Sequence, residues 1–148
     1  MKRILLLLGF ATLPALSLQA AEIGKIKTMS GQVSVVRNGT TLNPSIGTPV
    51  FEKDVLRTGS NGSTGVTFDD NSLISLGPNS VLALEKFTFD PTTHKGVFET
   101  RLKKGTLAGV SGKINKETPE AMKIRTPAAI LGLRGTEFRA HVEGEEEQ

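Results

Sequence analysis

Two neighbouring carboxylates, Asp69 and Asp70, are the residues of this chain best suited by type to do chemistry. Paired carboxyls can run acid–base hydrolysis when they face a cleft and their surroundings drive the two pKa values apart. Glycoside cleavage sets such a pair across a sugar. Sugar sites lean on aromatic platforms, and the chain has neither Tyr nor Trp. Calcium takes about six to eight oxygens at spaced positions. The triplet Asp69-Asp70-Asn71 is too short for that and reads as a turn. His94 and His141 lie far apart in sequence, which is not the pattern of a zinc site. The serines of Gly59-Ser60-Asn61-Gly62-Ser63 lack the strand-to-helix elbow that exposes a nucleophile. There is no cysteine, so thiol chemistry, cysteine-held metals and disulfides are excluded. No glycine loop of the phosphate-cradling kind is present. No basic stripe with interleaved aromatics points to nucleic acid. The expectation is a chain with no catalytic residues, no cofactor, no metal and no nucleic-acid partner. The alternative is a small envelope hydrolase using Asp69 and Asp70.

The N-terminus sets the compartment in which such a chain would work. Lys2 and Arg3 precede an apolar run, Ile4 to Leu18, broken by Pro14 and followed by Ala20 and Ala21. That is the layout of a secretory signal peptide over residues 1–20, with cleavage after Ala20 or Ala21. The run falls short of the ~20 residues that span a bilayer, and no second apolar run follows. A periplasmic protein with no membrane segment after processing is expected. Beyond residue 20, 16 basic residues face 15 acidic ones, and four of the acids fall in residues 143–148. The body is thus mildly basic, which suits anionic partners such as lipid headgroups or polyanionic envelope polymers, or is simply an ordinary solvated surface; an envelope protein or an anionic polymer is the expected partner. Residues 143–148 read as an acidic, disordered tail.

Residues 21–30 form a lead-in, and residues 31–142 read as one all-β domain. Val33-Ser34-Val35-Val36-Arg37 runs into Asn38-Gly39, the dipeptide suited to a tight hairpin. A second Asn61-Gly62 separates Asp54–Thr58 from Gly65–Phe68 and predicts another hairpin. In that second strand Val66 and Phe68 face one side, Thr67 and Asp69 the other. Asp70-Asn71 and Gly77-Pro78-Asn79 supply further turns, and Lys103-Lys104-Gly105 is expected to turn Gly96–Leu102 back into Thr106–Val110. One turn of helix is conceivable at Asp54-Val55-Leu56. Ser111–Glu120 reads as an exposed loop. Phe138, Ala140 and Val142 share a face opposite Glu137, Arg139 and His141. Turns recurring about every 8–12 residues suit many short strands over one core. A solenoid-like, β-helical stack is the first expectation, and a two-sheet sandwich of jelly-roll type is the alternative.

Several motifs occur in a fixed order. They are Asp54-Val55-Leu56-Arg57-Thr58-Gly59, Phe68-Asp69-Asp70-Asn71-Ser72, Leu76-Gly77-Pro78-Asn79-Ser80 and Leu102-Lys103-Lys104-Gly105. They end in Thr126-Pro127-Ala128-Ala129-Ile130-Leu131-Gly132-Leu133-Arg134-Gly135-Thr136-Glu137-Phe138. Together they resemble the FecR-type domain family over roughly residues 31–140. The resemblance implies an all-β periplasmic domain, which in signalling members senses an outer-membrane iron transporter through a membrane helix. This chain is expected to carry a cleavable signal in place of that helix. A freestanding, non-catalytic interaction or scaffold module is therefore the expected function. A structural subunit assembling through strand edges is a further alternative. The signature residues Thr126, Pro127, Gly132, Arg134, Gly135, Thr136 and Phe138 read as structural. Gly132 and Gly135 are expected at corners or close approaches, and Arg134 is expected to pair with Glu137 or to cap carbonyls. Candidate partner contacts are the basic residues Arg101, Lys103, Lys104, Lys113 and Lys116.

Overall fold

Period-two burial fixes the strands. In the computed structural model, which describes residues 20–144 together with Gly9 and Pro14, Val66 and Phe68 are buried while Asp69 is exposed. The same alternation buries Val33 and Val35, and later half-buries Phe138, Ala140 and Val142 against the core. Apart from Gly9, Pro14 and Ala20, the expected leader lies outside the described residues, as does the acidic segment beyond Gly144.

Among the described residues twelve strands follow in order: β1 (Glu22–Ser30), β2 (Val33–Arg37), β3 (Thr40–Leu42), β4 (Pro49–Phe51), β5 (Val55–Thr58) and β6 (Ser63–Phe68). Then come β7 (Leu73–Leu76), β8 (Val81–Phe89) and β9 (Gly96–Val110). A short helix α1 (Lys113–Glu117) and a 3-10 turn (Pro119–Ala121) lead to β10 (Met122–Arg125), β11 (Ile130–Gly132) and β12 (Glu137–Val142). They join in one curled sheet of order β3-β2-β5-β8-β9-β7-β6-β1-β4, with β10, β11 and β12 branching from β9. Every ladder is antiparallel except β9–β10. Such ladders do not support a solenoid-like stack, in which successive coils pair in parallel. The strands instead form one curled sheet, a half-barrel wrapped around the core, so neither the stack nor a two-sheet sandwich describes it.

The core fills that curl. Phe68 on β6 packs on Phe87 of β8 and Phe98 of β9, with ring centroids 5.9 and 4.6 Å away; Phe87 and Phe98 meet edge-on at 5.0 Å. Each such pair contributes about 0.5–1.5 kcal/mol beyond burial. Val35, Leu56, Leu82, Leu102, Leu107 and Ile124 are fully or almost fully buried around them.

The turns divide into hairpins and corners. Asn38 and Gly39, with φ of +51° and +77°, close β2 onto β3 as the dipeptide predicts. Asn61-Gly62 does not make a hairpin, because β5 pairs with β2 and β8 while β6 pairs with β1 and β7. There the chain crosses from one half of the sheet to the other. Asn61 Oδ1 accepts the Gln32 N–H, and Gly62 packs on the Gln32 carbonyl. Gly77-Pro78-Asn79 is a corner of the same kind, since β7 and β8 do not pair.

Three further expectations are corrected. Asp54-Val55-Leu56 enters a strand and forms no helix. Lys103-Lys104-Gly105 does not turn, and β9 runs unbroken through it for 15 residues. At Gly105 (φ +94°) β9 hands its pairing from β8 to β7, and a Cβ there would collide with Ser80. The residue is thus a bend in a long strand, not its end. Ser111–Glu120 is no open loop: it contains α1, and Ser111, Gly112, Ile114 and Asn115 are buried. The apolar Ile114 anchors this segment in the core.

Candidate functional site

Asp69 and Asp70 sit on the β6–β7 hairpin turn and take different surroundings. Asp70 is fully buried. Its Oδ1 accepts the Ser72 N–H at 3.0 Å, the bond of an Asx turn. Its Oδ2 accepts the Ser72 hydroxyl at 2.7 Å and lies 3.4 Å from the Ile114 N–H, while its backbone carbonyl accepts the Lys113 N–H at 2.8 Å. Ser72 Oγ in turn accepts the Gly112 N–H at 3.0 Å. Asp70 is therefore committed to fastening α1 onto the hairpin. Asp69 is exposed; partial desolvation, then the nearby Glu22 and Asp70 carboxylates, push its carboxyl above the usual range. The two acids do not face one cleft. His94, in the β8–β9 turn, stacks near Phe89, whereas His141 on β12 meets the Thr106 hydroxyl at 3.0 Å; they lie toward opposite ends of β9. Among the described residues, no cluster of three or more His, Cys, Asp or Glu side chains could hold a metal.

The ordered motifs prove to be stitches between the two halves of the sheet. Asp54, with its side chain 1% exposed, takes a bidentate bond from Arg37 (2.9 and 2.8 Å) and the Phe51 N–H (2.9 Å). Arg37 also donates to the Pro49 carbonyl and stacks 4.5 Å above the Phe51 ring. The hydrogen bond to Asp54 raises the Arg37 pKa and keeps the guanidinium charged. At the opposite corner, Thr58 Oγ1 donates to the Gly77 carbonyl (2.7 Å) and accepts the Ser80 N–H (2.9 Å). Ser80 Oγ accepts the Thr106 N–H at 3.0 Å. Sequence reading missed these ties because both partners lie far apart along the chain. The Asp-x-Ser spacing at Asp70 and Ser72 is the one local signal that could have found such a tie.

The signature residues run from the tip of the β10–β11 hairpin, through the 133–136 loop that is tied to the α1 segment, to the start of β12. Thr126 closes the β10–β11 turn, its hydroxyl accepting the Ala129 N–H at 3.1 Å, and Pro127 is exposed at the tip. Leu133 is buried in the core, and its carbonyl accepts Asn115 Nδ2–H at 2.9 Å. The Ser111 hydroxyl donates to the Gly135 carbonyl (2.9 Å), and the Ser111 N–H donates to the Thr136 carbonyl (2.7 Å). Gly135 has φ +102°, a backbone conformation that suits a corner. Gly132 has neither a positive φ nor any atom within 4 Å of a would-be Cβ, so the expected corner or close approach is absent there. Arg134 is exposed and has no ion pair with Glu137. Phe138 packs half-buried against the core.

Between α1 and the 133–136 loop lies an open groove of about 490 Å³. Lys116, Arg134, Glu120, Thr118, Thr136 and Asn115 line it. The fold thus brings Lys116, a candidate contact, beside Arg134, a signature residue. Lys113 is half-buried on α1. Arg101, Lys103 and Lys104 stand elsewhere, exposed on β9, and Arg101 is paired with Glu85 at 2.7 Å. Next to the groove β11 forms a sheet edge that, among the described residues, pairs with β10 alone, and Ile130 is 60% exposed. No helix among the described residues is long and apolar enough to cross a membrane.

Neither a curated protein nor a solved structure matches the chain. One family profile, described as FecR protein, matches residues 54–148, from the buried Asp54 tie through the whole C-terminal signature. The match spans most of the all-β body, and on it the chain belongs to the FecR protein family, a family of regulatory domains.

Proposed function

We propose that this chain is an exported, non-catalytic interaction module that works in the periplasm by binding another envelope component. The observation that carries the reading is the layout of the C-terminal end. A free edge strand and a groove flanked by Lys116 and Arg134 lie together within the segment matched by the family. The acidic pair that a hydrolase would use is split, with Asp70 tied into hydrogen bonds and Asp69 out on the surface. The leader-like N-terminus supports export.

Affinity capture from a cell-envelope extract tests the reading, using the purified protein and a Lys116→Glu/Arg134→Glu double variant side by side. Retention of a defined envelope protein by the natural sequence, and its loss from the variant, is the expected outcome. Equal retention by both, or none above a control column, would count against it.

A further inference from the structure

We infer that the free edge of β11 receives an extended partner segment in which acidic and apolar residues alternate, added as a new strand beside Gly132. The inference rests on the interaction-module reading and names its partner's chemistry. In the β10–β11 ladder, Leu133 N–H bonds to the Met122 carbonyl and Thr126 N–H to the Ala129 carbonyl. Antiparallel pairs alternate between bonded and non-bonded positions. The backbone groups of Ile130 and Gly132 therefore point away from β10, toward the open side. An edge strand with unpaired groups is a template for another strand, which natural proteins usually blunt with charges, proline or bulges. β11 has none of these: its three residues are Ile, Leu and Gly, and all are exposed.

Gly132 gives the second observation. Its backbone is not left-handed, and a Cβ added to it would meet nothing within 4 Å. The fold has no use for glycine here, and glycine inside a strand weakens it. What its missing side chain does is leave the outer face of the edge clear, next to Lys123 on β10. Leu131 pairs with the buried Ile124 and so lies on the inner face, where it is still 38% exposed and open to an apolar side chain. Charge chooses the occupant. Residues 113–134 carry five basic side chains against two acidic ones. Lys123 and Arg134 have no ion-pair partner among the described residues. Apolar positions of an added strand would meet Leu131, and its carboxylates would meet the basic rim. A second copy of this chain would bring like charges together instead.

The test is fluorescence anisotropy of a labelled octapeptide alternating Glu and Val, titrated with the purified protein. A Lys–Val octapeptide and polyglutamate serve as comparison probes. Saturable binding of the Glu–Val peptide alone is expected. The Gly132→Val variant is expected to weaken it by about tenfold or more while its melting temperature stays level or rises. A Lys123→Glu variant is expected to weaken it as well. No saturable Glu–Val binding, or binding that Gly132→Val leaves unchanged, overturns the inference. Equal binding of polyglutamate overturns it in favour of an anionic polymer, and dimerisation that the peptide cannot compete with overturns it in favour of self-pairing. If envelope capture succeeds but is unaffected by Gly132→Val, the module reading stands and this edge is not its site.

Discussion

Replacing Asp70 by alanine separates a structural carboxylate from a catalytic one. The substitution deletes the acceptor of the Ser72 N–H (3.0 Å) and of the Ser72 hydroxyl (2.7 Å), both in a fully buried setting. A hydrogen bond to a charged group contributes about 1.5–3 kcal/mol. The contact to the Ile114 N–H at 3.4 Å is long and adds little. Removing a buried charge returns part of its desolvation cost. The net loss is about 3 kcal/mol, which for a domain of this size lowers Tm by about 10 °C. Asp70→Asn keeps one acceptor and is expected to cost about half as much. Ser72→Ala removes the link to Gly112 as well as that to Asp70, so the two alanine variants share a network. Their combined effect is expected to fall short of additivity by about 1 kcal/mol. Thermal unfolding followed by circular dichroism reads the four variants against the natural sequence. An Asp70→Ala Tm within about 2 °C of the natural sequence would show that the carboxylate does not hold this corner together.

Other expectations follow from the same geometry. Gly105→Ala forces a Cβ into Ser80 at a positive φ and is expected to cost about 3 kcal/mol or more in urea unfolding, whereas Gly132→Ala is expected to be neutral or stabilising. Thr100→Val removes a buried hydroxyl that has no hydrogen-bond partner and is expected to gain about 1 kcal/mol in the same assay. For Asp69 the folded pKa lies above the unfolded one, so its charged form disfavours the fold at neutral pH and acid relieves this. Asp69→Asn is therefore expected to raise Tm at neutral pH and to lose that gain as pH falls below the carboxylate range. Asp90 is the reverse case: the Thr92 and Thr93 N–H groups lower its pKa. Asp90→Asn is expected to loosen the β8–β9 turn at neutral pH. The difference is expected to vanish as acid passes the lowered pKa, read by amide exchange of residues 91–95.

Period-two patterning was enough to place most strands, because burial on one face is written locally: Val66 with Phe68, and Phe138 with Ala140 and Val142. The Asn38-Gly39 hairpin was equally legible, since both residues must take positive φ. Which turns are hairpins and which are corners was not. Asn61-Gly62 has the composition of the first turn, yet long-range pairing of β5 with β8 and β6 with β1 decides its geometry. Lys103-Lys104-Gly105 looks like a turn because a bend in a strand also calls for glycine. The five-residue α1 is too short for a helical period to appear. Of the candidate site, the signature segment was visible as a motif. That it meets Lys116 across a groove depends on the Asp70 and Asn115 ties, which no spacing announces. Glycine in a motif usually marks a corner or a close approach; at Gly132 only the ordinary φ and the empty space around it say otherwise.

The most direct measurement is amide hydrogen exchange of the whole protein, alone and with its captured envelope partner. New protection is expected at Ile130 and Gly132, whose N–H groups face the open edge, with smaller changes in residues 133–136. Protection elsewhere on the sheet with unchanged exchange at these two amides would contradict binding at the β11 edge.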